Sequence, residues 1–124
     1  MRRVATHRTG PEDRVALALR QLGVHYRRHV RSLPGRPDFA NRTRGWAIFV
    51  HGCYWHHHAG CAKATVPRAN RALWLAKFAT NRQRDARKVR ELRRAGFRVL
   101  TLWECATAPE APLLRRLGKF FDQP

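Results

Sequence analysis

From Gly10 to Gly23 the apolar residues Val15, Ala18, Leu19 and Leu22 recur at helical spacing, the pattern of a helix with one buried face. Pro11 suits the first helical position. Glu12 and Asp13 suit the positive end of the helix dipole, and Gly23 supplies a stop. The stretch VHYRRHVR, 24–31, alternates weakly, as an edge strand does, and SLPGRP reads as a turn. Residues 38–50, DFANRTRGWAIFV, read as a hairpin with its turn from Asn41 to Gly45. Its second arm, Trp46 to Val50, is apolar at every position, which predicts a strand buried on both faces. The longest helical pattern runs from Arg68 to Ala95 and stops at Gly96. FRVLTLWEC is a second buried strand. PEAPLLRRLGKFF is a short closing helix whose start is blurred by Pro112. The order is helix, three strands, long helix, strand, helix. It predicts an α/β sandwich with a central mixed β-sheet flanked by helices.

A chain of 124 residues suits one domain, spanning 1–124, with one modest core. No run is long and apolar enough to cross a membrane. The basic N-terminus lacks the apolar segment of a signal peptide. The expectation is therefore a cytoplasmic protein with no membrane partner. Charge changes the picture most: 26 Lys and Arg stand against 8 Asp and Glu, a net +18. Core packing does not produce such an excess. It points to a polyanion, nucleic acid above all. An Arg-biased composition would explain the preference for Arg, but not the shortage of acids. That shortage makes each carboxylate in an apolar setting a candidate for chemistry.

The segment VHGCYWHHHAGC, 50–61, holds four histidines and two cysteines. Cys53, His58, Cys61 and Cys105 offer three thiols and an imidazole, the donor set of a tetrahedral structural zinc. The spacing C-x4-H-x2-C is local, and Cys105 ends the last strand, so an ion would pin the loop to the sheet. The alternative is that Cys53 and Cys105 are core thiols. Spacing alone does not choose among His56, His57 and His58 as the ligand.

Asp38 follows LPGRP. In restriction-endonuclease-like proteins a Pro-Asp at a strand start supplies a carboxylate for a hard divalent ion. The partner motif on the next strand is broken, with Phe49 at the position of the second acid and His51 at that of the lysine. Histidine is then the alternative carrier of proton transfer. An Asp that merely forms the turn is the competing explanation. On the long helix Leu75, Phe78, Arg82, Asp85, Val89 and Leu92 share one stripe. A carboxylate amid that stripe must be paired, with an Arg or with a histidine it orients. A second stripe of Trp74, Lys77, Asn81, Arg84 and Lys88 is a DNA-facing surface or simply a solvated one.

SLPGRPDF, VHGCYWHHHAGC, WLAKFATNRQRD and GFRVLTLWEC, in this order and spacing, resemble the very short patch repair endonucleases of bacteria. The match extends from about Glu12 to Ala106. The resemblance implies a restriction-endonuclease-like fold with a structural zinc, and nicking of DNA beside a T:G mismatch left by deaminated 5-methylcytosine. It further implies Asp38 as the Mg2+ carboxylate and His56 as general acid/base. His51 and Asp85 would be a supporting pair, and Glu12 a further contributor. Cys53, His58, Cys61 and Cys105 would hold zinc. Tyr54, Trp55 and Trp74 would form a wedge in the duplex, with Lys77 and Asn81 at the mismatch. The implied partner is double-stranded DNA carrying a T:G mismatch. Contact with other mismatch-repair proteins stays open, as does any role for His57. The implied form is a monomer at the bacterial nucleoid.

Three departures stand out. The chain starts close to the first helix, so most of a DNA-clamping N-terminal arm is missing. Val50 replaces a Thr. The two residues Ala59 and Gly60 make the zinc loop one residue longer, so it must bulge. Two further functions remain in play: a related nicking or restriction endonuclease with relaxed mismatch dependence, and a zinc-stabilised DNA-binding module without catalysis. The inward polar set Asp38, His51, His56 and Asp85 argues against the module.

Overall fold

In the computed structural model, which describes residues 10–122, the apolar run Trp46–His51 forms strand β3 at the interior of the sheet. Its side chains alternate between two cores. Trp46 and Ile48 enter one, Ala47 and Phe49 the other, because successive strand residues point to opposite faces. Strand β2 (Phe39–Asn41) returns antiparallel, with Phe39 opposite Ile48. Gly45, at φ +73°, donates its N–H to the Asn41 carbonyl at 2.8 Å and closes the hairpin. Strand β4 (Arg98–Trp103) runs parallel to β3 on its other side, with His51 opposite Trp103. Strand β1 (Arg27–Arg28) pairs antiparallel with β2 at the edge, giving the order β1-β2-β3-β4.

The predicted edge strand is shorter than its pattern suggests. Only two residues are strand, because His29 takes a left-handed φ of 51°. Beyond it the chain turns through bonds from Leu33 N–H to Val30 and from Arg36 N–H to Leu33. The turn then packs directly on the long helix that carries Lys88. A Cβ added at Gly35 (φ +74°) would sit 2.6 Å from the Lys88 Cβ.

Helix α1 (Pro11–Gln21) and helix α3 (Glu110–Asp122) cover one face, burying Val15, Leu19, Leu113 and Leu117. Helix α2 (Arg71–Arg94) crosses the other face between β3 and β4 and packs Leu92 and Val89 on it. Parallel neighbours need such a crossover. Both α1 and α2 stop where predicted, each with paired bonds around a left-handed glycine. Val24 and Gly23 donate to Leu19 and Arg20, and Phe97 and Gly96 to Leu92 and Arg93. Pro112 falls in the first turn of α3, where its missing N–H costs nothing. Helix α2 begins at Arg71 rather than Arg68, after the left-handed Asn70.

On the long helix Leu75 keeps its place on the stripe but is 42% exposed, because the sheet core engages only the second half of α2 and the stripe runs out of partner before reaching Leu75. The chain before the first helix, where the shortened arm was expected, lies outside the described residues. Among the described residues no helix is long and apolar enough to cross a membrane.

Candidate functional site

The loop after β3 folds back on itself in tight turns. The N–H groups of His56, His57 and His58 reach the carbonyls of Gly52, Tyr54 and Cys53. Between His58 and Cys61 the chain makes a turn in which Cys61 N–H reaches the His58 carbonyl at 3.2 Å, with Gly60 at φ +75°. These turns bring one ligand atom each from Cys53, His58, Cys61 and Cys105 within 4.8 Å of one another. His58 Nδ1 lies 3.7 Å from Cys53 Sγ and 3.5 Å from Cys105 Sγ. A tetrahedral zinc with ordinary bond lengths separates its nitrogen and sulfur ligands by about 3.6 Å, so the donor set fits that ion. The His58 ring is stacked 4.2 Å from Trp103, which fixes its plane. Burial pushes the Cys53 thiol up to about 11, a shift that a bound cation reverses.

Beside this cluster, on the α2 face, lie His51, His56 and Asp85. His56 Nδ1 and Asp85 Oδ2 are 2.6 Å apart. The His51 ring is stacked on His56 at 3.8 Å and 5°. Asp85 therefore meets His56 directly, and stands 4.0 Å from His51 Nδ1. That nitrogen is buried with no hydrogen-bond partner among the described residues. Burial, and then the nearby His56, lower the His51 pKa to about 4, so its ring is neutral at pH 7. A cavity of about 350 Å3 opens over this group, floored by Trp103 and Thr101 of β4.

Asp38 stands just before β2. Its Oδ2 accepts the Val50 N–H at 2.7 Å, which ties the carboxylate to β3. Its pKa is raised, chiefly by burial, and the charges of Glu12, His29 and His56 all reach it. Glu12, on the first turn of α1, accepts Arg28 at 2.9 Å and meets His29 Nε2 at 2.7 Å on the same oxygen.

The aromatic residues gather at the N-terminal half of α2. Phe78 is buried and carries the stacked ring of His57 at 4.3 Å, with Tyr54 at 5.5 Å and Trp74 at 5.9 Å. Trp55 packs edge-on against Tyr54 and is 60% exposed. Lys77 Nζ sits over the Trp74 ring, and Asn81 donates its amide to the Trp55 carbonyl at 3.3 Å. A groove of about 850 Å3 follows the β1 edge, lined by Arg27, Arg28, Arg31 and Arg42 and by no carboxylate among the described residues. Within those residues Arg27 and Arg31 have no ion pair.

Three contributors escape the sequence pattern. Phe78 looks like one more core position, yet it is the floor of the aromatic group. Glu104 accepts the Cys53 N–H at 3.2 Å and Lys63 at 3.2 Å, and so secures the loop. It had a signal, being one of the few acids at the end of an apolar strand. His29 had none, since its place beside Glu12 and Asp38 depends on how β1 ends.

A basic α/β protein with a carboxylate at a strand start and a histidine backed by aspartate has the equipment of a nuclease. The sequence profile described as "DNA mismatch endonuclease Vsr" matches residues 1–63. The DNA mismatch endonuclease Vsr of Escherichia coli (strain K12) is 44% identical over 106 residues, 86% of this chain and 67% of that protein. The type II nicking enzyme V.XorIIP of Xanthomonas oryzae pv. oryzae is 37% identical over 122 residues, covering 98% and 89%. The type II nicking enzyme V.NmeAIP of Neisseria meningitidis is 33% identical over 119 residues, covering 96% and 84%. The chain belongs to the Vsr family of DNA mismatch endonucleases and is a DNA endonuclease.

Proposed function

We propose that the protein nicks one strand of duplex DNA beside a T:G mismatch arising from 5-methylcytosine deamination, with a divalent ion at Asp38 and a loop held by structural zinc. The observation that carries the catalytic part is the 2.6 Å contact of His56 with Asp85. With Nδ1–H donated to the carboxylate, Nε2 is the atom left to take or give a proton. Asp85 also holds the ring in one orientation. His51, neutral and stacked on it, keeps the other face dry without adding a competing charge.

Asp38 has one oxygen committed to Val50 N–H and the other free for an ion. A hard divalent ion such as Mg2+ there would polarise the scissile phosphate and acidify an attacking water. Cys53, His58, Cys61 and Cys105 have the donor types and separations for zinc. They would anchor the segment bearing His56, Tyr54 and Trp55, so that acid–base group and wedge share one rigid base. An exposed Trp55 beside Tyr54 and Trp74 suits insertion between bases. Unstacking costs less at a mismatched pair than at a matched one. Lys77 and Asn81 lie next to that wedge, and the arginine-lined groove suits phosphates.

End-labelled duplexes with and without a T:G pair, given Mg2+ or EDTA, test the proposal. The expected result is a Mg2+-dependent nick in the T-containing strand alone. Equal nicking of matched DNA favours the second reading, a nicking enzyme with relaxed mismatch dependence. That reading has support in the near full-length match to a type II nicking enzyme. Binding without nicking, unchanged by Asp38→Ala, overturns both.

A further inference from the structure

We infer that His29 is a third protein ligand of the ion at Asp38, so that the site joins an imidazole nitrogen to the carboxylates of Glu12 and Asp38 and favours Mn2+ over Mg2+. The inference rests on the ion site proposed above and deepens it.

Three separate elements bring these groups together. Glu12 comes from the first turn of α1, His29 from the residue after β1, and Asp38 from the residue before β2. One ligand atom of each lies within 4.8 Å of the other two. His29 is not carried there by a free loop. Its backbone N–H donates to the Asp38 carbonyl at 3.0 Å, and the next N–H, of Val30, donates to the Pro37 carbonyl at 3.1 Å, so the bonding of β1 to β2 continues past it. The backbone that carries the imidazole thus keeps a fixed position beside Asp38, and the ring itself meets Glu12 at 2.7 Å.

Each carboxylate is half used. Oδ2 of Asp38 accepts the Val50 N–H, and Oε1 of Glu12 accepts Arg28 and meets His29. Oδ1 and Oε2 have no hydrogen-bond partner among the described residues and are free for an ion. Two carboxylates this close repel each other unless a cation lies between them. Arg28 and His29 both meet Oε1 of Glu12 and leave its Oε2 unanswered among the described residues.

The identity of the third donor sets the choice of ion. Mg2+ takes oxygen ligands and gives up its waters reluctantly. Mn2+ accepts oxygen ligands equally well and accepts imidazole more readily. A carboxylate, carboxylate, imidazole set therefore gains more from Mn2+.

The test uses zinc-loaded protein without DNA, titrated with Mn2+ and followed by electron paramagnetic resonance, with Mg2+ as competitor. His29→Asn is the informative variant, because Asn tolerates the left-handed backbone at this position but is too short to reach the ion. The expected result is Mn2+ binding at least about tenfold tighter than Mg2+, with most of that margin gone in His29→Asn. Pulsed spectra should show nitrogen coupling to Mn2+ in the wild type and none in the variant. Retained nitrogen coupling in His29→Asn, or an equal loss of Mn2+ and Mg2+ affinity, overturns the inference while leaving Asp38 as an ion ligand. Mn2+ binding unchanged by Asp38→Asn overturns the ion site itself, and the inference with it.

Discussion

Phe78→Ala separates what the aromatic group does for function from what it does for stability. Phe78 is 1% exposed, with His57 stacked on one face and Tyr54 and Trp74 beside it. Truncating a buried Phe costs about 3–5 kcal/mol, and the cost is higher where neighbours cannot collapse into the space. Here they collapse poorly. His57 and Tyr54 belong to a loop whose base is fixed by the Cys53 N–H bond to Glu104. The edge-on and tilted ring pairs with Tyr54 and Trp74, worth about 0.5–1.5 kcal/mol each beyond area burial, form part of that loss. We therefore expect a destabilisation near the top of that range. Leu92→Ala is the control. Leu92 is fully buried on the same helix but packs in the sheet core, away from the loop, and its truncation costs about 2–5 kcal/mol. Urea unfolding followed by circular dichroism measures both effects. Nicking of a T:G duplex is then compared at a temperature where both variants remain folded. Displacing the wedge and His56 by a fraction of an ångström should slow Phe78→Ala by an order of magnitude or more beyond Leu92→Ala, since misplacement of about 1 Å can cost 10²-fold. Equal nicking by the two folded variants, or a destabilisation under about 1 kcal/mol for Phe78→Ala, would refute the reasoning.

Asp85→Asn should leave DNA affinity intact and slow nicking by about 10²–10⁴, the usual worth of a positioned acid–base group; an unchanged single-turnover rate removes His56–Asp85 from the chemistry. Cys105→Ser should release zinc, measured by atomic absorption, and lower the melting temperature; zinc retained at one equivalent excludes Cys105 from the ligand set. Gly35→Ala should destabilise by more than the about 1–2 kcal/mol of a left-handed alanine, because its Cβ meets Lys88 at 2.6 Å. Gly23→Ala, with the same sign of φ but open space around it, should cost only that backbone share, and equal destabilisation in urea titrations counts against a packing role for Gly35. Arg27→Ala with Arg31→Ala should reduce the salt slope of DNA binding by about 0.9 for each phosphate that is no longer neutralised, without altering the preference for mismatched DNA. An unchanged slope means that DNA does not enter the β1 groove.

Local chemistry accounts for most of what the chain makes legible by itself. Trp46 to Val50 announced a strand buried on both faces because an unbroken apolar run has no other stable place. The stops at Gly23 and Gly96 were legible because a left-handed C-terminal residue is written as glycine. The Cys and His cluster was legible because three of its four members sit within one short loop, where spacing nearly is geometry. Asp38 and Asp85 stood out by scarcity, as acids in a chain with so few.

Contacts between distant segments were not legible. Asp85 had two candidate partners on the sequence, and the fold gave it His56, because the loop returns over α2 and stacks His51 against the far side of that ring. Leu75 kept its place on the helical stripe without being buried, since periodicity reports which side of a helix is apolar and not how far the partner layer extends beneath it. His29 became significant only when β1 ended after two residues and its N–H met the Asp38 carbonyl. The sequence by itself determined the alternating layers, the basic surface and the stock of ligands and acids, because these depend on nearest-neighbour spacing and on side-chain chemistry. Tertiary structure decided which histidine meets which carboxylate, because an ångström-scale contact between residues dozens of positions apart follows from the packing of α2 and the His-rich loop on the sheet, which no local spacing encodes.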